Sequence, residues 1–202
     1  MQFDALIIGG GAAGMSCALV LGSAGEKSYC HDKKVGIILH QKTSHLQNAV
    51  FNNVLGLPAG TTGMSILGQG KMQLSNNYPH VIQIEKEKVL EISFSSEGFT
   101  LRTNKNSYRA RKVVIAVGYT DLMNIKGLES YRVPHEKSPP AKNRIQLRNE
   151  DHLIAPNLYV AGSLAGHRSQ FSIACGSGAA VATDILTEWN GGVPSMVHDK
   201  LK

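Results

Sequence analysis

The chain is poor in the residues that staple small folds or hold metals. It has three cysteines in 202 residues, Cys17, Cys30 and Cys175, far apart and with no Cys-x-x-Cys pair. An odd number at these spacings argues against a disulfide framework and matches no common zinc pattern. Cys17 and Cys175 lie among Ala, Gly and Ser, as buried filler would. Charge is also scarce at the start: no charged residue lies between Asp4 and Glu26. That run excludes neither a leader nor a membrane span by itself. Its six glycines, the lack of a basic segment before it and the polar Gln2 and Asp4 argue against both. The expectation is therefore a cytoplasmic protein away from the membrane. Aromatic residues make up only 6% of the chain, too few for a base-stacking surface interleaved with its basic runs.

What is present suits one globular unit. Hydrophobic residues at 42% and charged residues at 18% fit a folded chain, and 202 residues suffice for one sizeable core. We expect a single domain over 1–202. The formal net charge of +6 favours anionic partners without choosing among them.

The stretch LIIGGGAAGMSCAL at Leu6–Leu19 runs from apolar residues into glycines and then into small residues. Strand 3–8, the turn Gly9-x-Gly11-x-x-Gly14 and helix 12–24 form a dinucleotide fingerprint in its proper setting. One glycine permits the tight turn, another lets the backbone approach a pyrophosphate, and the third lets helix and strand pack closely. The pyrophosphate then meets unpaired N–H groups and the positive end of the helix dipole. Val35–His40 reads as a buried parallel strand, 41–60 as an irregular loop, and Met64, Leu67, Met72 and Leu74 as a helical stripe. The runs VIQIE, KVLEISF and FTLRT between 81 and 107 predict a small antiparallel meander. Val113–Val117 and Leu158–Ala161 read as further core strands, 119–155 as a surface excursion, and the stretch from about Gln170 to Trp189 as a long helix.

LIIGGGAAG, VVIAVG at Val113–Gly118 and NLYVAGSLAG at Asn157–Gly166 together resemble the two-dinucleotide-domain flavoprotein superfamily. The likeness is to the FAD domain of thioredoxin reductase-like proteins, and it extends from residue 3 to about 187. Asn53-Val54-Leu55-Gly56-Leu57-Pro58 is similar to the family's Asn-x-x-Gly-x-Pro loop at the isoalloxazine. The segment from Gln170 to Gly178 is similar to its Gln-x5-Gly-x-Gly helix start. The resemblance implies an α/β, Rossmann-like three-layer FAD-binding domain with a parallel central sheet and a small antiparallel β-meander. It implies FAD on Gly9, Gly11, Ala12, Ala13 and Gly14, with His40 and Gln41 at the ribose and Asn53 at the ring. Ala116, Val117, Gly118, Gly162, Ser163, Gln170 and Phe171 complete the implied set.

The chain departs from that family in places. His40-Gln41-Lys42 stands where a ribose-binding carboxylate is expected, and Ser163 replaces the Asp of the Ala-Gly-Asp motif. Fewer than forty residues separate Gly118 from Leu158, where the family inserts an NADPH domain bearing its redox Cys-x-x-Cys. A thioredoxin reductase activity is therefore not implied. No catalytic diad or triad stands out, as befits chemistry carried by a flavin. His167 and Arg168 precede the flavin-facing helix; they are either a cation for the reduced flavin or a solvated pair.

Three functions remain open at this point. One is an oxidoreductase passing electrons through FAD from NAD(P)H or a redox protein, with a homo-oligomer allowed. Another is a non-catalytic FAD module or a subunit docking on a larger redox partner. The third is a relative of flavin-dependent tRNA-modifying proteins, drawing on Lys33-Lys34, Arg109, Arg111, Lys112 and the 137–148 cations. Nucleic acid is disfavoured because no RNA-binding fold is readable.

Overall fold

The apolar runs that flank the glycine turns become the strands of one sheet. The computed structural model describes residues 1–40, 44–120 and 123–198. β1 (Gln2–Ile8) leads through the glycine turn into α1 (Ala12–Ser23), and β2 (Val35–Leu39) follows. A short pairing of β3 (Val50–Phe51) with β4 (Thr61–Thr62) precedes α2 (Gly63–Asn77). Thr62 caps α2, its hydroxyl accepting the Ser65 N–H at 3.2 Å. Next come β5 (Ile82–Glu85), β6 (Val89–Ser95), β7 (Gly98–Thr103) and β8 (Ser107–Ile115). β9 (Arg132–Pro134), β10 (Ile145–Leu147), β11 (Leu153–Ala155), β12 (Leu158–Val160) and α3 (Phe171–Trp189) complete the chain.

The main sheet runs β11-β12-β8-β1-β2-β5, and its core from β12 to β5 is parallel throughout. Strict alternation divides it: Val114 faces one layer, while Val113 and Ile115 face the other. The first layer is helical. There α1 lies on α3 so closely that a Cβ on Gly178 would overlap the Ala13 carbonyl oxygen. Cys17 and Cys30 are buried in this layer as filler, whereas Cys175 is half-buried. The second layer is the meander β6-β7-β8 together with Met123, Ile125, Leu128 and Leu147. This is the expected three-layer α/β arrangement. No helix among the described residues is long and apolar enough to cross a membrane.

Three sequence expectations change. The run containing Ile82–Glu85 is not part of the meander. It pairs parallel with β2, from Gly36↔Ile82 to Leu39↔Glu85, because α2 supplies the crossover that a parallel neighbour requires. The strand expected at 113–117 is the end of a nine-residue strand. One edge of β8 serves two partners in succession, β7 antiparallel over Ser107–Ala110 and β12 parallel over Val113–Ile115. Finally, 119–155 is more than a surface excursion. It forms the antiparallel β9–β10 ribbon and edge strand β11, and it sends Leu128, Leu147, His135 and His152 into the interior.

Candidate functional site: a dinucleotide cleft

Beyond the carboxyl ends of the parallel strands opens a cleft of about 530 Å³. This is where open parallel sheets bind ligands, because strand order reverses there and the helix amino ends converge. Two helices begin at the cleft with no side-chain cap, α1 at Gly11 and α3 at Gln170. Their first N–H groups are the donors that a helix leaves unpaired, and both dipoles point their positive ends at one space.

The three glycines divide the work as the fingerprint requires. Gly9 has φ +112°, and a Cβ on it would overlap the Ala116 carbonyl oxygen. A Cβ on Gly14 would overlap the Gly9 carbonyl oxygen, so this glycine seats α1 under the turn. Gly11 is different: its backbone is extended, and a Cβ there would meet nothing within 4 Å. Its missing side chain leaves open cleft and an unshielded backbone, as an approaching pyrophosphate needs.

Twelve of the residues implied by sequence line this one space. They are Gly9, Gly11, Ala12, Ala13, His40, Ala116, Val117, Gly118, Gly162, Ser163, Gln170 and Phe171. Gly14 lies beneath it. Asn53 is exposed and does not line it. Gln41 falls outside the described residues. His167 and Arg168 are not among the lining residues either: Arg168 is exposed, and His167 Nε2 lies 3.1 Å from His152 Nε2.

The walls hold aromatic residues that periodicity did not reveal. Phe51 meets Phe171 with ring centroids 5.0 Å apart, and His45 meets Tyr119 at 5.5 Å. Arg144 sits 5.0 Å over the Tyr119 ring. Burial first, and then the nearby Arg144 charge, hold the His45 imidazole below its usual range. Phe171 was marked by the motif at the start of α3, but Phe51, His45, Tyr119 and Arg144 come from separate short elements and loops, so no spacing signal marked them.

Glu87 also lines the cleft, but its carboxylate is fully engaged. Thr103 Oγ1 donates to it at 2.6 Å, Asn106 Nδ2 at 2.7 Å and the Tyr108 hydroxyl at 2.9 Å. Burial opposes its charge, yet these three donors and Lys105 together hold its pKa below the ordinary value. It does not replace the carboxylate missing after β2. The thiols offer no redox pair. Burial pushes all three up, Cys30 to about 11, even against Lys33 and Lys27. Among the described residues, no cluster of three or more His, Cys, Asp or Glu side chains is built to hold a metal.

The comparisons with known proteins agree with this geometry. A thioredoxin reductase from Gloeobacter violaceus has a similar structure at TM-score 0.73 and 13% identity, covering 98% of this chain and 99% of that one. An oxidoreductase from Agrobacterium tumefaciens matches at TM-score 0.71 and 15% identity, covering 93% and 98%. A ferredoxin-flavin thioredoxin reductase from Clostridium acetobutylicum matches at 0.69 and 17%, covering 94% and 99%. At these identities the neighbours establish the fold. No curated protein matches the sequence. The family model described as pyridine nucleotide-disulphide oxidoreductase matches residues 3–176, supporting a flavin oxidoreductase in kind. With the fingerprint, the late strand and the start of α3 opening on one cleft, the chain belongs to the pyridine nucleotide-disulphide oxidoreductase family.

Proposed function

We propose that this chain is an FAD-dependent oxidoreductase that passes electrons between a separate donor and acceptor. The observation that carries this reading is the convergence of two uncapped helix starts, at Gly11 and Gln170, on one cleft. The residues present fit FAD. Gly11 leaves room for its pyrophosphate at the start of α1, and Gly162 and Ser163 would run beside its ribityl chain. Phe51, Phe171 and the start of α3 would take the ring. When bound, FAD supplies the two-electron chemistry. The chain binds the phosphates, orients the ring and presents the dipole of α3 to negative charge developing on it.

At the adenosine end, His40 offers no carboxylate for the ribose hydroxyls, so affinity rests on the phosphate and ring subsites. The chain has no second strand–Gly-x-Gly-x-x-Gly–helix unit. The donor is therefore a nicotinamide dinucleotide meeting the flavin directly, or a redox protein. The second reading, an FAD-bearing subunit of a larger redox complex, rests on that same missing unit. A homo-oligomer fits either reading.

The absorption spectrum of the purified protein, before and after loading with FAD, tests the proposal. Bound flavin absorption is expected, followed by its bleaching under anaerobic NADH, NADPH or a reduced ferredoxin. The ferredoxin belongs in the panel because one structural neighbour carries it in its name. A colourless protein that takes up no FAD overturns the proposal. A flavin bleached by one member of the panel, with electrons passed on to soluble acceptors by this chain alone, removes the subunit reading.

A further inference from the structure

Side chains from 132–155 converge on the five-residue turn Gly162–Gly166 at the cleft. His135, 5% exposed, lies with Nε2 3.0 Å from the Ser163 carbonyl oxygen. A carbonyl only accepts, so Nε2 carries the hydrogen and Nδ1 the lone pair. The second bond agrees: the Lys137 N–H donates to His135 Nδ1 at 3.1 Å. Asn149 Nδ2 donates to the Ala165 carbonyl at 3.3 Å and to the Leu147 carbonyl at 2.7 Å. Its Oδ1 accepts the His152 N–H at 3.0 Å. His152, 8% exposed, places Nε2 2.9 Å from Ser177 Oγ, which accepts the Gly162 N–H at 2.8 Å. The Gln146 side chain fills the space where a Cβ on Gly166 would lie.

The backbone on both sides of these contacts is unusual. Gly162 and Gly166 have φ of +77° and +89°. Asp151 and His152 hold φ of 42° and 72°, a left-handed region disfavoured for residues bearing a side chain. Strain of this kind persists only where the surroundings over-determine it.

We propose that the segment 132–155 is a clamp that shapes the Gly162–Gly166 turn for the cofactor, with His135 and Asn149 as positioning residues and Ser177 their counterpart on α3. The inference rests on reading the cleft as an FAD site. Gly162 and Ser163 line that cleft. The Ser163 and Ala165 carbonyls are engaged by clamp side chains, and the Gly162 N–H by Ser177 of α3, itself bonded to the clamp residue His152. The turn is thus ordered before the ligand arrives, and binding is spared that ordering cost. A purely architectural role for these bonds predicts something else: loss of fold stability with unchanged affinity in whatever protein still folds.

The test compares His135→Ala, His135→Gln, Asn149→Ala and Ser177→Ala with the parent chain. FAD affinity of the folded apo-protein, urea unfolding and amide hydrogen exchange at 162–166 are measured on each. The alanine variants are expected to bind FAD about tenfold more weakly, the equivalent of one lost buried hydrogen bond. Exchange at 162–166 should quicken. His135→Gln keeps a donor near the Nε2 position and should recover most of the affinity. Should His135→Ala fail to fold, Asn149→Ala and Ser177→Ala decide the matter from the other contacts. Unchanged affinity in the folded variants overturns the clamp, as does unchanged exchange at 162–166. If the parent chain takes up no FAD, the cofactor reading fails separately, and the exchange data still decide whether the turn is held as described.

Discussion

Gly14 seats directly against the backbone of Gly9, so that any Cβ on Gly14 would overlap the Gly9 carbonyl oxygen. Gly11, three residues before Gly14, has open space on its side-chain face. The two glycines of one motif therefore fail differently when replaced. Gly14→Ala should disrupt the strand–turn–helix unit and cost several kcal/mol, as overpacking against rigid backbone does. Gly11→Ala should leave unfolding within about 0.5 kcal/mol of the parent while weakening FAD binding about tenfold or more. Urea unfolding paired with FAD titration separates the two. Equal loss of stability in both variants would refute the division of labour.

Lys112 is buried beneath the end of α3, with its ammonium held by Glu188 and by Asn157 Oδ1 at 2.5 Å. The Tyr159 hydroxyl donates to the same Glu188 carboxylate. Burial opposes the charge of Glu188, but the bonds from Lys112 and Tyr159 and the Lys112 charge outweigh it and lower its pKa. Glu188→Ala leaves a buried cation short of a partner and should cost about 3 kcal/mol. Lys112→Met removes the charge and keeps the volume, and should cost less. Thermal or urea unfolding reads the order directly; the reverse order would contradict it.

Acid should destabilise the fold around the ordinary histidine range. Burial, and then neighbouring charges, lower the pKa of both His45 and His167 from 6.5. The unfolded chain therefore takes up protons near 6.5 while the folded chain still holds both rings neutral. With more protons on the unfolded state, stability rises with pH across that window. The contribution of the two rings is intact above 6.5 and is lost as pH falls from there through their folded values. Urea midpoints of the apo-protein from about pH 8 to about pH 5 should fall, and a His45→Asn, His167→Asn pair should flatten the slope. An unchanged slope in that pair would assign the effect elsewhere.

The cysteines should be inert to oxidants and alkylating agents in the folded protein. Burial raises the pKa of each, overcoming nearby lysines at Cys30 and the Ser16 hydrogen bond at Cys175. At neutral pH the thiolate fraction is correspondingly small. Labelling with a chromogenic disulfide should be slow in native protein and rapid in urea. Any electron transfer should survive replacement of Cys175 by Ser. Loss of that transfer would place a thiol in the redox path.

Much of this protein was legible in one dimension where local rules are strong. An apolar strand, Gly9-x-Gly11-x-x-Gly14 and a helix of small residues can pack in few ways, and they emerged as expected. Most of the residues implied for the cofactor line one cleft, because they sit at strand ends and helix starts that sequence marks well. Asn53 was placed on a motif in an irregular loop, and there the chain turns it to solvent. Alternation in Ile82–Glu85 identified a strand without naming its neighbour. That neighbour depends on the crossover through α2, which no window of residues contains.

The sequence by itself determined the glycine turn between β1 and α1, because Gly9, Gly11 and Gly14 act on residues close along the chain, and its apolar runs marked the core strands without naming their neighbours. Only the tertiary structure decided that Phe51, His45 and Tyr119 line the same cleft and that the Glu87 carboxylate is already engaged. It also decided that His135 and Asn149 reach the carbonyls of a turn far along the chain. Such pairings are set by how the sheet folds the loops back upon its carboxyl edge, and burial then makes each polar group find whichever partner lies within reach.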